Sequence, residues 1–107
     1  MSEWIDVDTV TNLPQGNVSL IDVNHTEVAV FNIGGAFYAI EDVCTHDGGT
    51  LAEGEVQRFE IECPRHGARF DLRSGRVTAP PACEDINVFQ VRIFDDRVQV
   101  READDND

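Results

Sequence analysis

Cys44-Thr45-His46-Asp47-Gly48-Gly49 and, with sixteen residues between His46 and Cys63, Cys63-Pro64-Arg65-His66-Gly67-Ala68 decide how this 107-residue chain is read. Each stretch supplies one cysteine and one histidine, spaced C-x-H in the first and C-x₂-H in the second. A four-ligand zinc site usually draws its two cysteines from one loop and its two histidines from another. The single residue between Cys44 and His46 is also short for zinc-loop spacing. A binuclear iron–sulfur centre with two cysteines on one iron and two histidines on the other has a different requirement. Two loops, each offering a thiolate and then an imidazole, meet it. In both stretches the histidine follows the cysteine, so each loop can reach from an inner to an outer iron. The candidate ligands are Cys44, His46, Cys63 and His66, with a structural Cys₂His₂ zinc site as the bland alternative.

Working outward, the flanking sequence reads as short strands and turns. Val28 to Ile33, Gly34-Gly35, and Ala36 to Ile40 form a β-hairpin pattern. Val88 to Phe94 leads through Asp95-Asp96 into Arg97 to Arg101, whose second arm alternates as a half-buried strand does. Glu55 to Glu62 also alternates and reads as one strand running into Cys63. Phe70 to Leu72, Arg73-Ser74-Gly75 and Arg76-Val77 predict a tight hairpin, and Trp4 to Val7 a further strand. Asp8 to Leu13 is the one stretch suited to a helical turn, capped by Asp8 or Thr9. Trp4 is expected in the core, His25 in an exposed turn, and Pro80-Pro81 in a rigid third loop over the site. Residues 1–101 are expected to form one domain and the acidic residues 102–107 a disordered tail.

Composition narrows the function classes. There are 21 acidic residues against eight arginines and no lysine, for a net charge of −13. Nucleic-acid and anionic-membrane binding are disfavoured, because both need surface cations. Such a surface steers basic partners, keeps a small protein soluble, or suits high salt. No apolar run approaches the roughly 18 residues of a membrane span. The N-terminal stretch MSEWIDVDTV lacks the pattern of a secretory signal, so the expected compartment is the cytoplasm. Three cysteines, two already assigned, argue against a disulfide framework. The third, Cys83, reads as a small buried hydrophobe.

The mixed ligand set has a chemical rationale. Two thiolates bring an oxidised two-iron, two-sulfide centre to neutrality, whereas an all-cysteine centre is anionic before any electron arrives. Histidine ligation therefore raises the reduction potential, into a range of about −150 to +300 mV. Glycines beside both loops let backbone N–H groups approach the sulfurs.

CTHDGG and CPRHGARFD at this separation, continued by DLRSGRVTAPP and a C-terminal hairpin, resemble the Rieske-type proteins, from about Ala36 to Val100. The length is similar to the stand-alone Rieske ferredoxins of aromatic-ring dioxygenase systems. The resemblance implies an all-β fold of three antiparallel sheets, with the cluster-binding loops at one tip. It implies one [2Fe–2S] cluster per chain, held by Cys44, His46, Cys63 and His66. The sequence offers no nucleophile–base pair and no substrate-pocket signature, so no catalytic residue is assigned, and a monomer is expected when the protein is free. The expected role is a low-potential one-electron carrier, from a flavin-dependent NAD(P)H reductase to a terminal ring-hydroxylating oxygenase. A small subunit of a nitrite-reductase-type oxidoreductase is the alternative. Rieske proteins of the respiratory branch carry an extra cysteine in each loop, joined as a disulfide, and hydroxyl donors to the cluster sulfurs. Here no spare loop cysteine occurs, and Ala68 and Phe70 stand where the hydroxyls fall.

Overall fold

Val28, Ala29, Val30 and Phe31 are consecutive and all buried, although a strand normally buries alternate residues. Their strand runs between two hydrophobic cores. Val28 and Val30 face one core, with Leu13, Val23, Ala39, Val98 and Val100. Ala29 and Phe31 face the other, with Ile40, Leu51, Ile61, Phe70 and both candidate cysteines. One wall of the core that holds the candidate cysteines is thus a strand buried on both faces.

The computed structural model describes residues 3–82 and 84–102. Strands β1 (Ile5–Thr9), β2 (Val18–Val23), β3 (Thr26–Ile33) and β4 (Ala36–Glu41) precede the loop of Cys44. Short strands β5 (Val56–Gln57), β6 (Glu60–Glu62), β7 (Arg69–Asp71) and β8 (Val77–Ala79) follow, then β9 (Val88–Phe94) and β10 (Arg97–Glu102). They form two antiparallel sheets, β1-β10-β9-β4-β3-β2 and β5-β6-β7-β8. The all-β antiparallel expectation holds. The expected three sheets are two, because β4 and β9 pair through Ala39–Phe89 and Ile40–Val88 and join the larger sheet across its middle. The small sheet is inserted between β4 and β9. No helix among the described residues is long and apolar enough to cross a membrane.

Both expected hairpins form, with tight turns at Gly34-Gly35 and Asp95-Asp96 in the left-handed region. A third such turn, Asn24-His25, joins β2 to β3 and leaves His25 exposed as expected. The sequence pattern does not single out β2, because Val18 and Leu20 point to solvent and Ser19 turns inward. The helical stretch is one 3₁₀ turn, Val10–Asn12, capped by the Thr9 hydroxyl, which accepts from Asn12 N–H at 3.3 Å.

Some expectations need correction. Glu55 to Glu62 is a hairpin, not one strand: the chain reverses at Arg58-Phe59, pairing Val56 with Ile61. Arg58 takes a positive φ of 57° without glycine or asparagine to announce it. The turn is held by Leu72 N–H donating to the Phe59 carbonyl at 2.7 Å and by Arg73 over the Phe59 ring at 4.3 Å. The β7–β8 turn starts one residue early, since Leu72 turns into the core. Trp4 is half-buried outside both cores, between the Arg92 and Arg101 guanidinium groups, each 4.4 Å from its ring. Glu102 ends β10 opposite Phe89 rather than starting a tail. Residues 103–107 and Cys83 lie outside the described residues.

Candidate metal centre

The first candidate loop leaves β4 and the second joins β6 to β7. They share one backbone frame. Cys44 N–H donates to the Gly49 carbonyl and Gly48 N–H to the Cys44 carbonyl, both at 2.7 Å. Cys63 N–H donates to the Ala68 carbonyl at 2.7 Å and Gly67 N–H to the Cys63 carbonyl at 3.1 Å. Four residues past each cysteine stands a glycine at positive φ, 77° at Gly48 and 80° at Gly67. An L side chain there is strained, so each glycine lets its loop close on itself. The difference between C-x-H and C-x₂-H is absorbed inside this common frame.

The frame sorts the four candidates by depth. Cys44 and Cys63 are 0% and 1% exposed. His46 and His66 are exposed, with ring centroids 5.1 Å apart and planes at 84°. Ala68, Phe70, Leu51 and Ile61, all 0% exposed, form the floor under the thiols. Burial pushes the Cys44 thiol above its usual range, against backbone N–H groups of His46 and Asp47 that bond its sulfur. A buried thiol of this kind becomes a thiolate when a metal takes the proton's place.

The donors form two pairs rather than one knot. Among the described residues, the two sulfurs lie within 4.8 Å of each other and of an Asp47 carboxylate oxygen, and so, separately, do the two imidazoles. No three of the four donors gather within that distance. A tetrahedral zinc ion, with bonds of about 2.0–2.3 Å, would need all of them within about 4 Å. Paired thiols below and paired imidazoles above fit a two-iron cluster instead.

Two residues near the site escape a reading based on ligand spacing. Asp47 lies between the donor pairs, but its carboxylate is already engaged by Arg65 across the loops and by Gly49 N–H at 2.9 Å. The Arg65 guanidinium, foremost, holds that carboxyl well below the usual range. The available signal was an acid and a base at the inner positions of opposite loops. The other residue is Asp42, two residues before Cys44. Its Oδ1 accepts from the N–H groups of Leu51 and Ala52 at 2.7 and 2.8 Å, pinning the far end of the first loop. Its buried Oδ2 has no hydrogen-bond partner among the described residues. The Glu27 carboxyl is pushed above its usual range, first by a hydrogen bond with Asp42 and then by burial. The third loop is tied to the site as well: the Thr45 hydroxyl donates to the Glu84 carbonyl at 2.6 Å.

A buried pair of thiols and an exposed pair of imidazoles on an antiparallel β scaffold define a small iron–sulfur protein. The family model for the Rieske [2Fe–2S] domain matches residues 3–90. The ferredoxin component of a naphthalene 1,2-dioxygenase/salicylate 5-hydroxylase system from Ralstonia sp is 35% identical over 98 residues, covering 92% of this chain and 94% of that one. The naphthalene 1,2-dioxygenase ferredoxin component of Pseudomonas aeruginosa is 34% identical over the same shares. The solved ferredoxin of carbazole 1,9a-dioxygenase from Nocardioides aromaticivorans IC177 superimposes with a TM-score of 0.89 at 33% identity, covering 95% of this chain and all of that one. This chain belongs to the Rieske [2Fe–2S] family, and its cofactor is a [2Fe–2S] cluster.

Proposed function

We propose that this protein is a low-potential Rieske ferredoxin that carries single electrons from a flavin-dependent NAD(P)H reductase to a terminal ring-hydroxylating oxygenase. Cys44 and Cys63 would hold one iron of the cluster, and His46 and His66 the other. When bound, the cluster supplies a one-electron couple. The observation that carries the reading is the depth gradient, with thiols sealed in the core and imidazoles at the surface. The buried floor keeps water from the thiolates. The exposed rings put the electron's exit within reach of a docked partner.

Relatives named as ferredoxin components of dioxygenase systems support the carrier role, and the proposed working compartment is the cytoplasm. A solved complex of reduced oxygenase and oxidised ferredoxin of carbazole 1,9a-dioxygenase matches with a TM-score of 0.88 at 32% identity, which supports an oxygenase as acceptor. A nitrite reductase small subunit from Mycobacterium tuberculosis matches at 20% identity and TM-score 0.86, a likeness of fold alone. Electron paramagnetic resonance of the dithionite-reduced protein tests the cluster. A rhombic signal with a low average g value supports mixed nitrogen–sulfur ligation. A silent, colourless, zinc-containing sample overturns it.

Two further outcomes are expected. With a net charge of −13, transfer to a partner with a basic docking face should slow as salt is added; a rate that rises or stays flat removes the steering argument. Ala68 and Phe70 are both fully buried in the core that holds the cysteines, where an added hydroxyl is kept from water. Ala68→Ser or Phe70→Tyr should raise the midpoint potential by stabilising the reduced state. An unchanged potential in both variants would mean that hydrogen bonding from these positions does not set it.

A further inference from the structure

Arg65 lies in the second loop, yet among the described residues every hydrogen bond its side chain makes is to the first. Its Nε donates to Asp47 Oδ2 at 2.6 Å, and its Nη2 to Asp47 Oδ1 at 3.1 Å and to the Thr50 carbonyl at 2.9 Å. Asp47 is in turn oriented by Gly49 N–H, which donates to Oδ1 at 2.9 Å. A Cβ on Gly49 would collide with the guanidinium, so this close approach needs glycine there. The pair is partly exposed, at 35% for Arg65 and 20% for Asp47. Most pairs that exposed add little to stability. A bidentate fork with a third bond to backbone is the geometry that departs from that rule. It also joins two loops, one crossing from β4 to β5 and the other joining β6 to β7, that each carry half of the candidate ligands.

We propose that Asp47 and Arg65 are a positioning pair, an ionic latch that sets the separation of the two ligand loops and keeps the charge beside the cluster balanced. The proposal rests on the reading that Cys44, His46, Cys63 and His66 hold the cluster. Without the latch, the β4–β5 loop and the β6–β7 loop can move apart while the rest of the fold stays intact. Cluster retention should therefore suffer more than global stability. The charges add a signature that packing alone does not produce. Losing Arg65 leaves a bare carboxylate near the donors and disfavours the incoming electron. Losing Asp47 leaves a bare guanidinium and favours it.

The test compares purified, iron-loaded wild type with Asp47→Asn, Arg65→Gln, the double variant and Arg65→Lys. The Asp6→Asn and Arg97→Gln variants of the Asp6–Arg97 surface pair, 3.0 Å apart on β1 and β10, serve as controls. Two quantities are read: the decay of visible absorbance in excess iron chelator, and the midpoint potential. Each single latch variant should lose its cluster about tenfold faster or more. The double variant should be no worse than the worse single, since the two residues act as one unit. The potential should fall in Arg65→Gln and rise in Asp47→Asn, and the controls should match wild type. Wild-type lifetimes in both single variants, additive losses, or potentials that move in one direction overturn the latch. If Arg65→Gln assembles no cluster, Arg65→Lys decides, because lysine cannot reproduce the fork. A shortened lifetime in that variant supports the latch and a wild-type lifetime overturns it. A wild type that binds no iron overturns the cluster reading and the latch with it. An iron-loaded wild type whose variants behave like it overturns the latch alone.

Discussion

Cys63→Ala is expected to yield a protein without iron, without visible colour and without a signal on reduction. Cys63 is 1% exposed and sits among Ile61, Ala68 and Phe70, so water has no route to replace the missing sulfur. The remaining inner donor, Cys44, is a buried thiol pushed above its usual range and keeps its proton unless a metal displaces it. With one sulfur gone, nothing in the floor can complete the inner pair. The loss should be complete rather than graded, and it should carry folding stability with it. A cofactor that binds only the folded chain adds about 4 kcal/mol at a thousandfold excess over its Kd. Iron content, visible absorption and thermal unfolding together check this. His25→Ala is the matched control, because His25 lies in the exposed turn between β2 and β3 and in neither donor pair. A Cys63→Ala protein with full iron and an unchanged rhombic signal would remove Cys63 from the ligand set.

Asp42→Ala should destabilise the protein by about 3 kcal/mol, because two amide groups lose a charged acceptor worth roughly 1.5–3 kcal/mol each. Asp42 is 7% exposed, and Leu51, one of the two donors, is fully buried. No solvent reaches Leu51 N–H to take over. The first loop would then be free at the end away from Cys44. The variant should also change the pH profile, with a sign that follows from Glu27. A carboxyl whose pKa is raised on folding contributes stability that is fully present below its unfolded value, about 4.3. That contribution is lost as pH rises through the raised folded value. Glu27 is raised first by its hydrogen bond with Asp42, so Asp42→Ala should remove this loss. The acidic side runs the other way. Asp47 and Asp71 are held below the usual range, chiefly by Arg65 and Arg73, so their stability is present above the unfolded value and lost as pH falls through the folded one. Urea unfolding of wild type and variant across the acidic to neutral range measures both limbs. A variant as stable as wild type would show that the Leu51 and Ala52 amides find other partners.

Much of the fold was legible because it is local. Gly34-Gly35 and Asp95-Asp96 announce their turns, and the strands beside them alternate or stay apolar over several residues. Arg58-Phe59 announced nothing, since arginine in the left-handed region is paid for by contacts from Leu72 and Arg73 elsewhere in the chain. β2 was hidden because two of its outward residues, Val18 and Leu20, are apolar while one inward residue, Ser19, is polar. Trp4 reads as core by composition, but two arginines from β9 and β10 give its ring a surface partner.

The sequence by itself determined the candidate donor set and the scaffold class. The C-x-H and C-x₂-H spacing, the glycine four residues past each cysteine and the flanking strand patterns are all written within a few residues of one another. Only the tertiary structure decided how those donors are arranged. It set the thiols below and the imidazoles above, merged the β4 and β9 halves into one sheet, and buried β3 on both faces. It also brought Arg65 to Asp47 and Glu27 to Asp42. These pairings join residues on different loops and strands, and no local periodicity encodes which distant charge a side chain will meet. Packing two cores around one shared strand is what brings them together.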